Sequence, residues 1–147
     1  MSQQGEVLSQ AFELGFTYTR STGPVVGRFL TALRDRRIVG NRGSDGKVYV
    51  PPIEFDPVTA APGGEFVDVA DHGTVVNWAW VSRPSYQHHL QQPFAFALVR
   101  LDGADVPMVH MVDAGQESAM ATGMRVRARW AGETRGHITD IACFEPA

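Results

Sequence analysis

At 147 residues, 44% of them hydrophobic and 20% charged, the chain has the size and balance of one ordinary globular domain. Folding at that length buries roughly 70% of the unfolded surface, so a core needs neither metal nor cross-link. One cysteine, Cys143, excludes an internal disulfide and a thiolate zinc cluster, and a net charge of −3 lacks the basic excess on which phosphate neutralisation rests.

Met1 to Thr19 mixes polar residues with Val7, Leu8, Phe12, Leu14 and Phe16, a pattern open to a short helix, a strand or a segment draped over a partner. It has no basic n-region or apolar h-region, and no apolar run in the chain approaches eighteen residues, so the expected setting is soluble and cytoplasmic. "STGPVVGRFLTALRDRRIVG" follows. Ser21 or Thr22 can cap, Pro24 suits a first helical turn, and Gly40 can end the helix in the left-handed conformation. Val25, Val26, Phe29, Leu30 and Leu33 recur at helical spacing, and Arg34, Arg36 and Arg37 crowd the end where cations complement the helix dipole.

Strands account for the rest. "NRGSDGKVYVPP" is a turn feeding a short strand that Pro51-Pro52 stops, and "IEFDPVTAAPGG" is loop-like. "EFVDVA" alternates. "GTVVNWAWVS" is long and β-rich, with Val76, Trp78 and Trp80 expected on one face and Val75, Asn77 and Ala79 on the other. "RPSYQHHLQQ" is a polar loop and "PFAFALVRL" a strongly apolar strand. Asp102-Gly103 marks a hairpin from which "VPMVHMV" returns. "GMRVRARWAG" alternates cleanly, Met124, Val126, Ala128 and Trp130 against Arg125, Arg127 and Arg129, and "HITDIACF" closes the chain. One helix before five to seven short strands, with no βαβ rhythm, predicts a mainly β fold with an N-terminal helix. Closing a five- to six-stranded Greek-key barrel of the OB type disposes of the strand edges, and a β-sandwich is the alternative. The segments divide as 1–40 for the extension and helix, 41–64 for the turn-rich strand segment and 65–147 for the barrel.

No catalytic constellation is legible. His88 and His89 are adjacent in a polar loop and share an ion poorly; His72, His110 and His137 have no companion at zinc spacing. His110 is expected to face solvent or a barrel mouth. The carboxylates mostly sit at turn signals, and there is no Gly-x-Ser-x-Gly, phosphate loop or Gly-x-Gly-x-x-Gly. Cys143 alternates with apolar neighbours, as a buried small hydrophobe does. "RVRARW", with Trp78, Trp80 and Phe94, is the one arrangement that could stack and neutralise a single strand, against which the acidic total counts. Twelve of the thirteen cations are Arg, a side chain suited to carboxylates on a partner or the phosphates of an acyl-coenzyme A.

The ordered set "PVVGRFLTALRDRRIVGNR", "GKVYVPP", "DHGTVVNWAWVSRP", "PFAFALVRLDG", "GMRVRARW" and "FEPA" resembles the thiolase-associated OB-fold family, also catalogued as domain of unknown function thirty-five, over Thr19 to Ala147. The resemblance implies a leading helix, a rubredoxin-like zinc ribbon and a C-terminal OB barrel. It places the ribbon's ligand positions near Arg42, Asp45, Asp56 and Thr59, none of them Cys, and so implies a degenerate ribbon held by packing and hydrogen bonds, without metal. It also implies a partner: a thiolase-like, lipid-transfer-protein-type catalytic subunit in a hetero-oligomer. Acyl-CoA is then the substrate of the complex, and one branch consists of retro-aldolases of steroid side-chain breakdown. This chain is expected to supply no catalytic residue and to bind no cofactor directly. Its partner-binding candidates are the Val25, Val26, Phe29, Leu33 stripe with Arg36 and Arg37, and the loop bearing Tyr86, His88 and His89. A free-standing acyl-CoA or small-ligand binding domain is the alternative, ahead of single-stranded nucleic-acid binding. No membrane association is expected.

Overall fold

The computed structural model describes residues 9–147. Helix α1 spans Gly23–Arg34, with Pro24 in its first turn and the Ser21 hydroxyl accepting the Gly23 N–H. It ends earlier than Gly40. Arg36 takes the left-handed conformation (φ 54°), and the Asp35, Arg36 and Arg37 N–H groups close on the Ala32 and Leu33 carbonyls. The reason is the pair Ile38-Val39, β-branched and fully inside, which draws the chain into strand β1, Ile38–Arg42. Gly40 lies within that strand, where a side chain would collide with the Tyr49 carbonyl.

β1 pairs with β2 (Val48–Tyr49) on one side and β3 (Phe66–Val69) on the other, making a three-stranded antiparallel sheet. β3, grouped with the barrel by sequence, thus shares its hydrogen bonds with β1 of the ribbon-like segment. It pairs along β1 from Ile38↔Val69 to Asn41↔Phe66. The Arg28 guanidinium sits 4.2 Å over the Phe66 ring and ties α1 to the same sheet.

The remaining strands close a five-stranded barrel in the order β4-β5-β6-β8-β7, from β4 (His72–Val81), β5 (Phe94–Leu101), β6 (Met108–Val112), β7 (Arg125–Trp130) and β8 (Ile141–Pro146). All neighbours are antiparallel except β6 and β8, which run parallel and meet at Val112↔Phe144. This is the OB-type closure expected. Val75, Val99, Val112, Val126 and Phe144 fill it without solvent contact. β4 departs from the expected alternation. A bulge between Val75 and Asn77 turns Val75 inward with Trp78 and Trp80 and leaves Val76 outside. Short 3₁₀ turns at Glu117–Ala119 and Ile138–Asp140 precede β7 and β8. None of the described helices is long and apolar enough to cross a membrane.

α1 packs on β1 and on the Ile138–Asp140 turn. The Thr134 hydroxyl donates to the Arg34 carbonyl (2.7 Å), and Arg36 donates to the Ala131 and Gly132 carbonyls (3.3 and 3.2 Å). The helix is thus docked on its own barrel.

Candidate functional site

That docking corrects part of the partner-binding expectation. Phe29 and Leu33 are 3% and 0% exposed, covered by β1 and the barrel, so they cannot offer a free surface. Val25 is half-buried, and Val26 alone of the stripe reaches solvent appreciably. Arg36 is occupied with backbone carbonyls, and Arg37 pairs with Asp68 at 2.6 Å. Both stay exposed just beyond the helix, and of the apolar stripe itself only Val26 stands in solvent.

In the ribbon-like segment the four positions at which zinc ligands were implied hold different chemistry. Asp56 is buried. Its Oδ2 accepts the Ser44 N–H (2.6 Å) from the turn after β1, and its Oδ1 accepts the Val58 and Thr59 N–H groups (2.8 Å each) and the Thr59 hydroxyl (3.1 Å) from the second turn. One carboxylate thereby fastens both turns. The Ser44 and Thr59 backbone donors hold its carboxyl well below the usual carboxylate range. Asn41, fully buried, makes a second tie by exchanging two hydrogen bonds with the Ile53 backbone (2.8 and 2.9 Å). Gly43 runs between these groups; a side chain there would press on the Asp45 and Asp56 carboxylates. Arg42 is a cation, Thr59 is spent on Asp56, and both Asp56 oxygens are engaged, so this donor set does not fit zinc. Among the described residues no three His, Cys, Asp or Glu side chains converge as a metal site requires.

The "RVRARW" strand also resolves. Arg125 makes a two-point contact with Asp102 (2.8 and 2.6 Å), Arg127 pairs with Glu145 (3.1 Å), and Arg129 pairs with Asp113 (2.9 Å) and Glu145 (3.2 Å). The Arg125 guanidinium lowers the Asp102 carboxyl. Burial alone would raise Asp113, but its bonds from Arg129, Gly115 and Gln92 outweigh that and lower it. Phe94 is fully buried, and Trp78 and Trp80 pack against the core. Arginines matched to carboxylates, with the aromatics turned inward, are not a stacking groove for a single strand.

The loop between β4 and β5 is partly seated. His88 stands edge-on to Phe94 and Phe96 (5.3 and 5.8 Å), its Nδ1 accepts the Ser85 N–H (2.9 Å), and Leu90 is buried. Tyr86 is 88% exposed and His89 lies in solvent. His110 differs from expectation. It is 8% exposed, edge-on to Phe144 at 5.4 Å, and burial pushes its imidazole below the usual histidine range. Cys143 is fully buried, and burial raises its thiol to about 11, which removes it as a nucleophile.

Sequence reasoning missed the outward face of β4, β5 and β6. Cross-strand pairing aligns Ala79↔Phe96↔Met111 in one row and Asn77↔Leu98↔Val109 in the next. Val109 is 62% exposed and Val76 39%. Two shallow depressions of about 230 and 150 Å³ lie on this face and share Phe96 and Val109. The signal was present in "PFAFALVRL", which is apolar at every position up to Arg100, on the solvent side as well as the core side.

Residues 66–131 match the family described as ChsH2, C-terminal OB-fold domain. The fold is similar to a chain of the Ltp2-ChsH2(DUF35) aldolase, with a TM-score of 0.63 and 19% identity over 87% of this chain and 98% of that one. It is also similar to a DUF35-family protein of unknown function from Sulfolobus solfataricus, with a TM-score of 0.58 and 18% identity over 73% and 77% of the two chains. No curated protein matches in sequence.

Proposed function

Starting from a DUF35 OB-fold domain of the ChsH2 type at residues 66–131, we propose that the chain is a non-catalytic accessory subunit of a thiolase-like acyl-CoA enzyme. The observation that carries this reading is its likeness to nearly the whole of one chain, 98%, of an aldolase whose name pairs two proteins. The chemistry within the described residues accords with it. The one thiol is buried and inert, and the β7 arginines are matched to carboxylates. The reaction then belongs to the partner, a thiolase-fold subunit acting on an acyl-CoA in the cytoplasm. The branch favoured is the carbon–carbon cleavage of steroid side-chain degradation. This chain binds and steadies that subunit and holds no cofactor of its own.

Co-expression with a thiolase-like protein of the same organism tests the reading: the two should co-purify and elute as one species. Separate elution at micromolar concentration would sink it. The alternative is a free-standing acyl-CoA or small-ligand binder, for which depressions of about 340 Å³ beside His89 and His137 and about 420 Å³ beside Pro24 and Phe55 lie at the low end of the roughly 300–1,000 Å³ that such pockets span. Calorimetry of the isolated chain with acyl-CoA separates the two readings: heat of binding without the partner would favour the alternative.

A further inference from the structure

We infer that the outer face of β4, β5 and β6, rather than the helix, is where the catalytic subunit docks, and that it receives an uncharged apolar surface; this rests on the accessory-subunit reading. The face presents Asn77, Ala79, Phe96, Leu98, Val109 and Met111 in two paired rows, none of the six ionisable, with Arg100 beyond Leu98 on β5 and His89 at the rim of one depression. Charge decides what can sit there. The two rows offer nothing to an acidic or basic segment and penalise one by desolvation, with Arg100, His89 and Thr139 only at their edges. The complement is apolar and neutral.

The relief of the face narrows the occupant. Depressions of about 230 and 150 Å³ meeting at Phe96 and Val109 suit one or two projecting aliphatic or aromatic side chains, the anchors that carry most of an interface's energy. The neighbouring loop supplies a rim. His88 and Leu90 fix it onto Phe94 and Phe96, while Tyr86, at 88% exposure, stands free at its edge with the polar tip and apolar body typical of interface borders. Among the described residues, the chain's own leading segment does not cover the face. Residues 9–22 form no helix or strand before α1, and Phe12, Leu14, Phe16 and Tyr18 are each 69–86% exposed.

The experiment uses the full chain with a thiolase-like protein of the same organism. Val109→Glu should weaken association by about 100-fold or more, because it forces a charge into an apolar contact. Its thermal midpoint should match wild type, since Val109 is already in solvent. Val26→Glu on the helix should change affinity by less than about 3-fold. A fluorophore on Val109→Cys reports independently, because Cys143 is buried and stays unlabelled; its emission should shift to the blue when the partner is added. Wild-type affinity in Val109→Glu, or a silent label in a complex that still co-elutes, overturns the docking face and leaves the accessory role standing. A concentration-dependent dimer of the chain alone, abolished by Val109→Glu, overturns it in favour of a second copy. If the wild-type chains fail to associate, the accessory role falls and the docking face with it.

Discussion

Two outward faces of one barrel carry opposite chemistry. On β7 the solvent side holds Arg125, Arg127 and Arg129, each matched to Asp102, Asp113 or Glu145. On β5 and β6 the equivalent side holds Phe96, Leu98, Val109 and Met111, uncharged until Arg100 near the end of β5. Both strands pack the same interior, and both alternate with the same period. Alternation therefore fixes which residues point outward but is silent on what they meet there. The ion-paired face is built for water. The neutral face is an exposed apolar patch of the sort that marks an interaction surface.

The comparison rests on a shared floor, and the largest effect comes from removing it. Phe144, fully buried beside His110, supports both faces. Phe144→Ala should cost about 3–5 kcal/mol in urea unfolding and weaken the partner complex as well. A loss under about 1 kcal/mol would mean that the barrel is not packed as described. Away from both faces, Asp56→Ala should lower the melting temperature by roughly 10 °C, because three backbone N–H groups and a hydroxyl lose their acceptor. A chelator should leave the wild-type melting temperature unchanged; a drop with chelator would contradict the carboxylate tie.

A pH titration sharpens the difference beneath the neutral face. His110 is held below its ordinary 6.5 by burial, with the nearby His89 a lesser contributor. The unfolded chain therefore binds the proton first, and stability present above about pH 6.5 falls as pH drops toward the folded value. The slope should be up to about 1 kcal/mol per pH unit, and His110→Gln should flatten it. An unchanged slope in the variant would assign the effect elsewhere. The smallest effects belong to the two faces themselves. In the isolated chain, Arg127→Ala should cost under about 1 kcal/mol and less at high salt, since its pair is solvent-exposed. Val109→Thr should stay within about 0.5 kcal/mol at any salt, since a side chain already in solvent loses little packing. Equal salt sensitivity at both positions would erase the contrast.

Much of the fold was legible because period carries it. The β7 alternation and the apolar spacing of α1 read directly as elements, and the barrel follows from many short strands with no crossover helices. The failures have local causes. The bulge at Val76 shifts the face of β4 by one residue, which no alternating pattern announces. The helix stops at Arg34 because the strand beyond it is pulled into the core, although Gly40 looked the better terminator. At the candidate site, Phe29 and Leu33 were correctly read as an apolar stripe. Whether the chain or a partner covers them depends on tertiary placement. Asp56 was invisible as a tie because its partners are backbone amides, which leave no trace in residue identity. The neutral face hid inside a strand that simply looked buried on both sides.

The knot at Asp56 has a consequence for how the protein matures. It contains no sulfur to oxidise, and both oxygens of its carboxylate are filled by the chain's own N–H and hydroxyl donors, so that corner of the fold is complete once the polypeptide closes on itself. Scarcity of trace elements or a burst of peroxide would leave it intact, and only strong acid, by protonating the aspartate, would loosen it.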